Sequence, residues 1–295
     1  MALRSGDLVL MPTETVYGLA ADAANALAVA KVYEAKGRPS FNPLIAHVAD
    51  VAAARRIAIF NAQAEQLAAR FWPGALTLVL PIRDDGAVCD LARAGLDTVA
   101  LRVPAHPLAQ ALLAAFGGPV VAPSANRSGR PSPTTFADAQ EETGSAVAVA
   151  LDGGPCAVGL ESTVIALLDR PRLLRPGAVT RREIEALIGP LAEAEADARR
   201  SPGRLTRHYA PNAPVRLEVD RPREGEAWLS FGPTGSGPWN LSPTGDLREA
   251  AANLFAHLRA ADRTGPGSIA VAPIPLEGLG EAINDRLRRA AGYVG

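Results

Sequence analysis

Leu8-Val9-Leu10-Met11-Pro12-Thr13-Glu14-Thr15-Val16-Tyr17-Gly18 sets a strand-sized apolar run directly against a polar loop. Four consecutive apolar residues closed by proline read as a short buried strand, since proline cannot continue the ladder. The loop carries two threonines and a glutamate. Two readings of it stay open: Thr13 caps a short helix, or the loop faces a ligand, as loops beyond strands do in open α/β sheets.

Working outward, Asn25 is placed to cap a helix bearing Leu27, Ala30 and Val32-Tyr33 on one face, with Gly37 ending it and Pro39 preventing its return. Residues 43–48, 76–80, 98–103 and 120–122 read as strands, and 62–71 and 108–116 as helices. Residues 160–168 and 172–174 read as a hairpin turned at Asp169-Arg170, and Thr180 with Glu183 as a capping box for a helix to about Ile188. The expected organisation is a mixed α/β domain over 1–189, a linker over 190–213 and a smaller domain over 214–295. Strand–helix alternation in the last segment predicts a parallel, Rossmann-like sheet, without the GxGxxG of a dinucleotide site.

The chain has 295 residues, long enough for two cores, and its 48% apolar and 21% charged residues exclude general disorder. A net charge of −1 argues against a protein that coats nucleic acid. No apolar stretch is long enough to span a membrane, and no signal-peptide pattern is visible. Cys89 and Cys156 lack CxxC spacing, so neither a disulfide framework nor a zinc site is expected, and the cytoplasm is the expected compartment. Of 30 basic residues only Lys31 and Lys36 are lysines.

Lys36 and Arg38 stand two apart beyond a helix; on an extended segment they would present two cations to one polyphosphate, whereas the plainer reading is a lysine at a helix C-terminus. Pro123-Ser124-Ala125-Asn126 follows a strand and offers two short polar groups, or a turn satisfying its own backbone. His47 is a half-buried strand residue or a neutral imidazole for a polar substrate. Glu161-Ser162-Thr163, Arg175-Pro176-Gly177 and His208-Tyr209 are individually unspecific. No metal-ligand spacing appears among the four histidines.

Taken together, Met11–Leu19, Ala35–Pro39, Asn42–Ile45 with His47, Ala122–Asn126, Glu161–Val164 and Arg175–Gly177 resemble the YrdC/Sua5 family, and Ser201-Pro202-Gly203 and His208–Pro211 resemble its long form. The resemblance implies a YrdC-like twisted mixed-sheet domain followed by the smaller Rossmann-like domain. It implies synthesis of threonylcarbamoyl-AMP and pyrophosphate from L-threonine, bicarbonate and ATP, with Mg2+ as ATP's ion and no metal-ligating side chains. The intermediate would serve the modification of adenosine 37 in tRNA, with transfer left to downstream partner proteins, so neither stable nucleic-acid binding nor a membrane is called for. By the same resemblance Lys36 and Arg38 are the catalytic cations. Arg38, Asn42, Thr98, Ser124, Ser132 and Arg175 fall at nucleotide positions, joined by Lys36 and Asn126, with Tyr209 closing over the nucleotide. Thr15, His47, Arg102, Ala122 and Ser162 fall at threonine positions, Ala122 through its backbone. The linker departs from the family in reading Gly203-Arg204-Leu205-Thr206-Arg207 before His208. The rivals are a carbamoyl-transfer protein of the same fold and an RNA-binding module.

Overall fold

The structure, a computed structural model, describes residues 2–37, 42–83, 86–193 and 208–293. After a 3-10 turn at Ala2–Ser5 come β1 (Val9–Met11), β2 (Gly18–Asp22), α1 (Ala26–Lys36), β3 (Ile45–His47), α2 (Val51–Ile57), α3 (Ala62–Phe71), β4 (Leu76–Pro81), α4 (Asp90–Arg93) and β5 (Thr98–Arg102). There follow α5 (Pro107–Phe116), β6 (Val120–Val121), α6 (Phe136–Thr143), β7 (Val149–Ala150), β8 (Thr163–Leu167), β9 (Pro171–Arg175), α7 (Arg181–Ile188) and β10 (Ala192–Glu193). Among the described residues these strands form a ten-stranded mixed sheet in the order β10-β9-β8-β4-β5-β3-β6-β2-β1-β7. β10 pairs in parallel with β9, inside the stretch expected as linker.

The capping chemistry acts as the sequence predicts. Asn25 accepts hydrogen bonds from the amides of Leu27 and Ala28, and Gly37, at φ 57°, closes α1 in the left-handed conformation. Thr180 and Glu183 make the reciprocal capping box of α7. The opening loop is a correction to the helix-cap reading. Thr13 Oγ accepts from the amides of Thr15 and Val16 and donates to the carbonyl of Val16, tightening a turn between antiparallel β1 and β2. Strand pairing of Gly18–Asp22 with β1 prevails over the local cap preference of threonine.

Alternation along the strands decides where the site lies. Leu44, Ala46, Val48, Leu78, Leu80 and Leu101 belong to the large core cluster that also holds the buried faces of α1 and α3. Ile45, Val79, Ala100, Val164 and Ala166 cluster on the opposite face. His47 and Arg102 share that second face and are register partners of parallel β3 and β5. Two polar side chains are thereby set side by side on a buried sheet, away from the helices.

The second sheet uses β11 (Val215–Arg216), β12 (Glu226–Ser230), β13 (Trp239–Asn240) and β14 (Ser268–Val271), in the order β11-β14-β12-β13 with every pair parallel. It packs with α8 (Leu247–Arg263) and α9 (Leu279–Ala290). β13 lies in a Gly/Pro-rich stretch, residues 232–245, and is a two-residue strand too short for a periodic signal. The core of this unit includes Val16, Leu160 and Tyr209, which precede it in the chain. Gly159, at φ 74°, makes that contact possible: a Cβ there would lie 2.5 Å from the Ala251 carbonyl oxygen on α8.

Candidate active site

Arg102 is almost fully buried at the end of β5, and its guanidinium is held from three sides. Nε donates to the Gly74 carbonyl at 3.0 Å, Nη1 to Thr15 Oγ at 2.8 Å and Nη2 to Glu14 Oε1 at 2.6 Å. Glu14 also accepts the Ala105 amide at 3.1 Å. Burial raises the Glu14 carboxyl, but the charge and hydrogen bonds of Arg102 outweigh it and keep the group below its usual range. Three of five guanidinium N–H groups are thus committed, leaving donors for a carboxylate guest.

His47 is buried beside Arg102, and burial followed by that neighbouring charge pushes its imidazole down to about 3. It is neutral at physiological pH. Its Nδ1 is buried and has no hydrogen-bond partner. An unpartnered nitrogen in such a place is costly unless a ligand completes it.

The Pro123–Asn126 loop is tied to the sheet through its backbone. Leu19 donates to the Pro123 carbonyl, Ala125 donates to the Tyr17 carbonyl, and Gly18 and Ser124 form an isolated bridge. The loop therefore does not satisfy itself as a free turn. Lys36 lies beneath it: Nζ donates to the carbonyls of both Ser124 and Asn126. This corrects the expectation of an extended Lys-Gly-Arg pair, because Lys36 is the last residue of α1 and Gly37 is its cap. Arg38 lies outside the described residues. Asn126 donates to the carbonyls of Arg127 and Arg130 at 2.8 and 3.0 Å, and its Oδ1 is buried without a partner.

On the opposite wall Ser162 Oγ lies 2.7 Å from Thr77 Oγ. Arg175, buried at the end of β9, donates to the Ser162 carbonyl at 2.8 Å through Nη2. Gly177 lets this hairpin close, since a Cβ there would stand 2.4 Å from the Thr163 amide nitrogen and 2.5 Å from the Glu161 carbonyl oxygen. Glu161 accepts from Ser132 Oγ at 2.5 Å and from Arg286 Nε at 2.9 Å. Burial opposes its ionisation, yet Arg286 and Arg175 hold it down at about 2.

These walls enclose one cavity, to which Thr15, His47, Arg102, Ala122, Ser124, Ser162, Arg175 and Tyr209 all contribute. Eight of the residues that the family resemblance assigned to the nucleotide and threonine sites, separated by up to 194 positions, meet there. Lys36, Asn42, Thr98, Asn126 and Ser132 are buried but do not line it. Asn42 offers its carbonyl to the Tyr33 hydroxyl at 3.0 Å, and Thr98 opens β5. Tyr209 stands at φ 63°, its ring 5.3 Å from that of Phe255 on α8 and 4.0 Å from that of His208. Its hydroxyl is pushed above its ordinary value by burial and then by Glu161.

Sequence reasoning passed over Glu14 as the brace of Arg102. It also gave no role to Arg286, whose signal was a charge set among the apolar positions Ile283, Leu287 and Ala290 of α9. Among the described residues no group of three or more His, Cys, Asp or Glu side chains is placed to hold a metal ion, and no helix is long and apolar enough to cross a membrane.

A Sua5/YciO/YrdC family model, described as telomere recombination, matches residues 1–177. A model for the C-terminal domain of threonylcarbamoyl-AMP synthase matches residues 179–292. The chain is 41% identical to a threonylcarbamoyl-AMP synthase of Bacillus subtilis, over 98% of this chain and 91% of the relative. It is 42% identical to one of Pyrococcus abyssi, over 99% and 92%. The crystal structure of P. abyssi Sua5 complexed with L-threonine superposes with a TM-score of 0.90 at 40% identity, covering 99% of this chain and 92% of that one.

Proposed function

The chain belongs to the Sua5/YrdC family of threonylcarbamoyl-AMP synthases, and from that premise we propose how its own cavity makes the mixed anhydride from L-threonine, bicarbonate and ATP. The carrying observation is the convergence in one cavity of a braced arginine, a neutral histidine with an unpartnered nitrogen, and a second buried arginine held by the Ser162 carbonyl.

Arg102 takes the threonine carboxylate with the donors left free by Glu14, Thr15 and Gly74. His47 and Ser162 face the polar remainder of the amino acid, and the backbone of Ala122 borders it. The threonine nitrogen attacks CO2 released from bicarbonate and gives up a proton to form a carbamate. A carbamate oxygen then attacks the α-phosphorus of ATP, and the bond to pyrophosphate breaks. No protein nucleophile is required, so positioning and positive charge carry the rate. Arg175 and Ser124 supply the nucleotide wall, with Lys36 acting through the loop it holds. Mg2+ arrives with ATP and neutralises its phosphates. Tyr209 covers the nucleotide end and limits hydrolysis of the anhydride by water. The product then passes to proteins that transfer the threonylcarbamoyl group to tRNA in the cytoplasm, a setting compatible with the two free thiols of Cys89 and Cys156.

Purified protein supplied with ATP, Mg2+, L-threonine and bicarbonate is expected to release pyrophosphate only when threonine and bicarbonate are both present, with threonylcarbamoyl-AMP detected by mass spectrometry. Release indifferent to threonine would sink this reading.

A further inference from the structure

We propose that Arg286, on α9 of the C-terminal domain, is a positioning residue for the nucleotide: it neutralises Glu161 and turns it toward Ser132, so that the wall of the cavity accepts a polyphosphate. This rests on the reading of the cavity as an ATP site.

Glu161 is the acidic side chain among the residues lining the cavity. A bare carboxylate there would repel ATP across a poorly screened distance. Two contacts prevent that, and a third ties the same arginine to the neighbouring turn. Arg286 Nε reaches Glu161 Oε2 at 2.9 Å, Ser132 Oγ donates to Oε1 at 2.5 Å, and Arg286 Nη1 donates to the Pro176 carbonyl at 2.9 Å. The last contact fixes the residue that follows Arg175. The guanidinium also stands 5.4 Å from the centre of the Tyr209 ring. One side chain, 1% exposed, therefore touches the Glu161 segment, the Arg175 turn and the Tyr209 segment together. Asp285 also accepts from Nη1 at 2.7 Å, and Asp285 has a cation of its own in Arg289, whose Nε donates to it at 3.0 Å.

Other ion pairs between the two domains lack this geometry. Arg259 meets Glu142, Arg263 meets Asp138 and Glu141 of α6, and Arg181 of α7 meets Glu281 of α9 at 3.1 Å, none of them lining the cavity. Buried ion pairs are weak contributors to net stability. One whose carboxylate also borders a binding cavity and holds a second hydroxyl is better matched to orienting that border. The Glu161–Arg286 connection spans 125 positions of sequence, so it depends on the docked C-terminal domain.

The test uses the full chain and isothermal titration with the non-hydrolysed pairings, Mg-ATP alone and L-threonine alone. Binding of Mg-ATP by the unsubstituted protein controls the cavity reading, separately from the ratios between variants. Arg286→Gln is expected to weaken Mg-ATP binding about tenfold, the scale of losses when a residue supporting a site is removed, while L-threonine affinity stays within about twofold. Adding Glu161→Gln in the same chain is expected to recover most of that loss, because the repelling charge is gone. Arg286→Lys, which keeps the charge but not the fork, is expected to fall between. The proposal is overturned if Arg286→Gln binds Mg-ATP like the unsubstituted protein, if both ligands weaken equally, or if the double variant is no better than the single one.

Discussion

The two lysines share a bonding pattern that local sequence does not reveal. In a chain that uses arginine at 28 of 30 basic positions, both lysines end on main-chain carbonyls: Lys31 on Gly6 at 2.7 Å, Lys36 on Ser124 and Asn126. A compact ammonium suits a buried site where two carbonyls converge on one nitrogen, and a planar fork would have to be accommodated there in a different geometry. Many of the arginines meet carboxylates, as in Arg55–Glu65, Arg216–Glu226 and Arg286–Glu161, although Arg4, Arg83 and Arg175 also donate to main-chain carbonyls, and Lys31 stands 3.5 Å from Asp7. Lys36→Met leaves two buried carbonyls short of a donor, and about 1–3 kcal/mol of stability is expected to go with it. Displacement of the Ser124 loop is expected to lower kcat/KM about a hundredfold. Lys36→Arg should rescue neither quantity. A Lys36→Met enzyme that melts and turns over like the parent would show that the loop stands without the ammonium. His47 gives a second prediction at this scale. The unfolded chain takes up a proton at His47 below about pH 6.5, while the folded imidazole resists until about 3. Stability therefore falls as pH falls through this window, by about 1.4 kcal/mol per pH unit from this group. Burial of His257 and the depressed Glu161 act with the same sign, so the diagnostic quantity is the difference in slope against His47→Asn. Equal slopes in denaturant titrations at pH 7.5, 6 and 5 would remove His47 as the cause.

Elements were legible in the sequence where caps and periodicity agreed. Asn25 with Gly37 and Thr180 with Glu183 each mark a helix that the structure bears out, and the helix read over 62–71 is present with Asn61 as its cap. The apolar runs at 76–80 and 98–103 are strands buried on both faces. What escaped was set by distant partners. Gly18–Asp22 is a strand because β1 and β6 flank it, and α6 carries buried Asp138 and Glu142, each of which takes an arginine from the other domain, Arg263 and Arg259. Site membership divides in the same way. His47 and Arg102 adjoin by strand register, which local patterns do not encode, and only the family resemblance joined them beforehand. The β8–β9 hairpin offers a test at this scale. Gly177→Ala puts a methyl 2.4 Å from the Thr163 nitrogen, between backbones that cannot rotate aside. A loss of at least about 2 kcal/mol is expected, with Arg175 drawn from the cavity and Mg-ATP affinity reduced. Urea unfolding that leaves the midpoint unchanged would contradict the close approach.

At the scale of the whole molecule, the two domains behave as one packing unit. The second core takes in Val16 and Leu160, immediate neighbours of Thr15 and Glu161, so the cavity wall and the interdomain seam are the same layer of residues. The second half that shares this core is the segment, residues 179–292, that matches the C-terminal domain of threonylcarbamoyl-AMP synthase. Glu142 is the polar centre of the seam. Its side chain is fully buried and accepts from Arg130 at 2.8 Å, Arg259 at 3.0 Å, and the amide and Nε of Arg127 at 2.9 and 3.3 Å. Arg259 itself is 4% exposed and donates also to the Pro131 carbonyl. Burial raises the Glu142 carboxyl, and the Arg127 amide with the surrounding arginines brings it below its ordinary range. Glu142→Gln keeps the shape but leaves Arg259 buried without its counter-charge, a change expected to cost about 3–5 kcal/mol. The loss falls on the seam and not inside either core, so its form is as informative as its size. Calorimetry of the parent protein is expected to give one transition, because the shared core couples the halves. The variant is expected to melt in two steps, with the C-terminal domain released first and Mg-ATP affinity lost before the main sheet unfolds. A single transition merely shifted downward would mean that the apolar contacts of Val16, Leu160 and Tyr209 hold the domains together without the ion pairs.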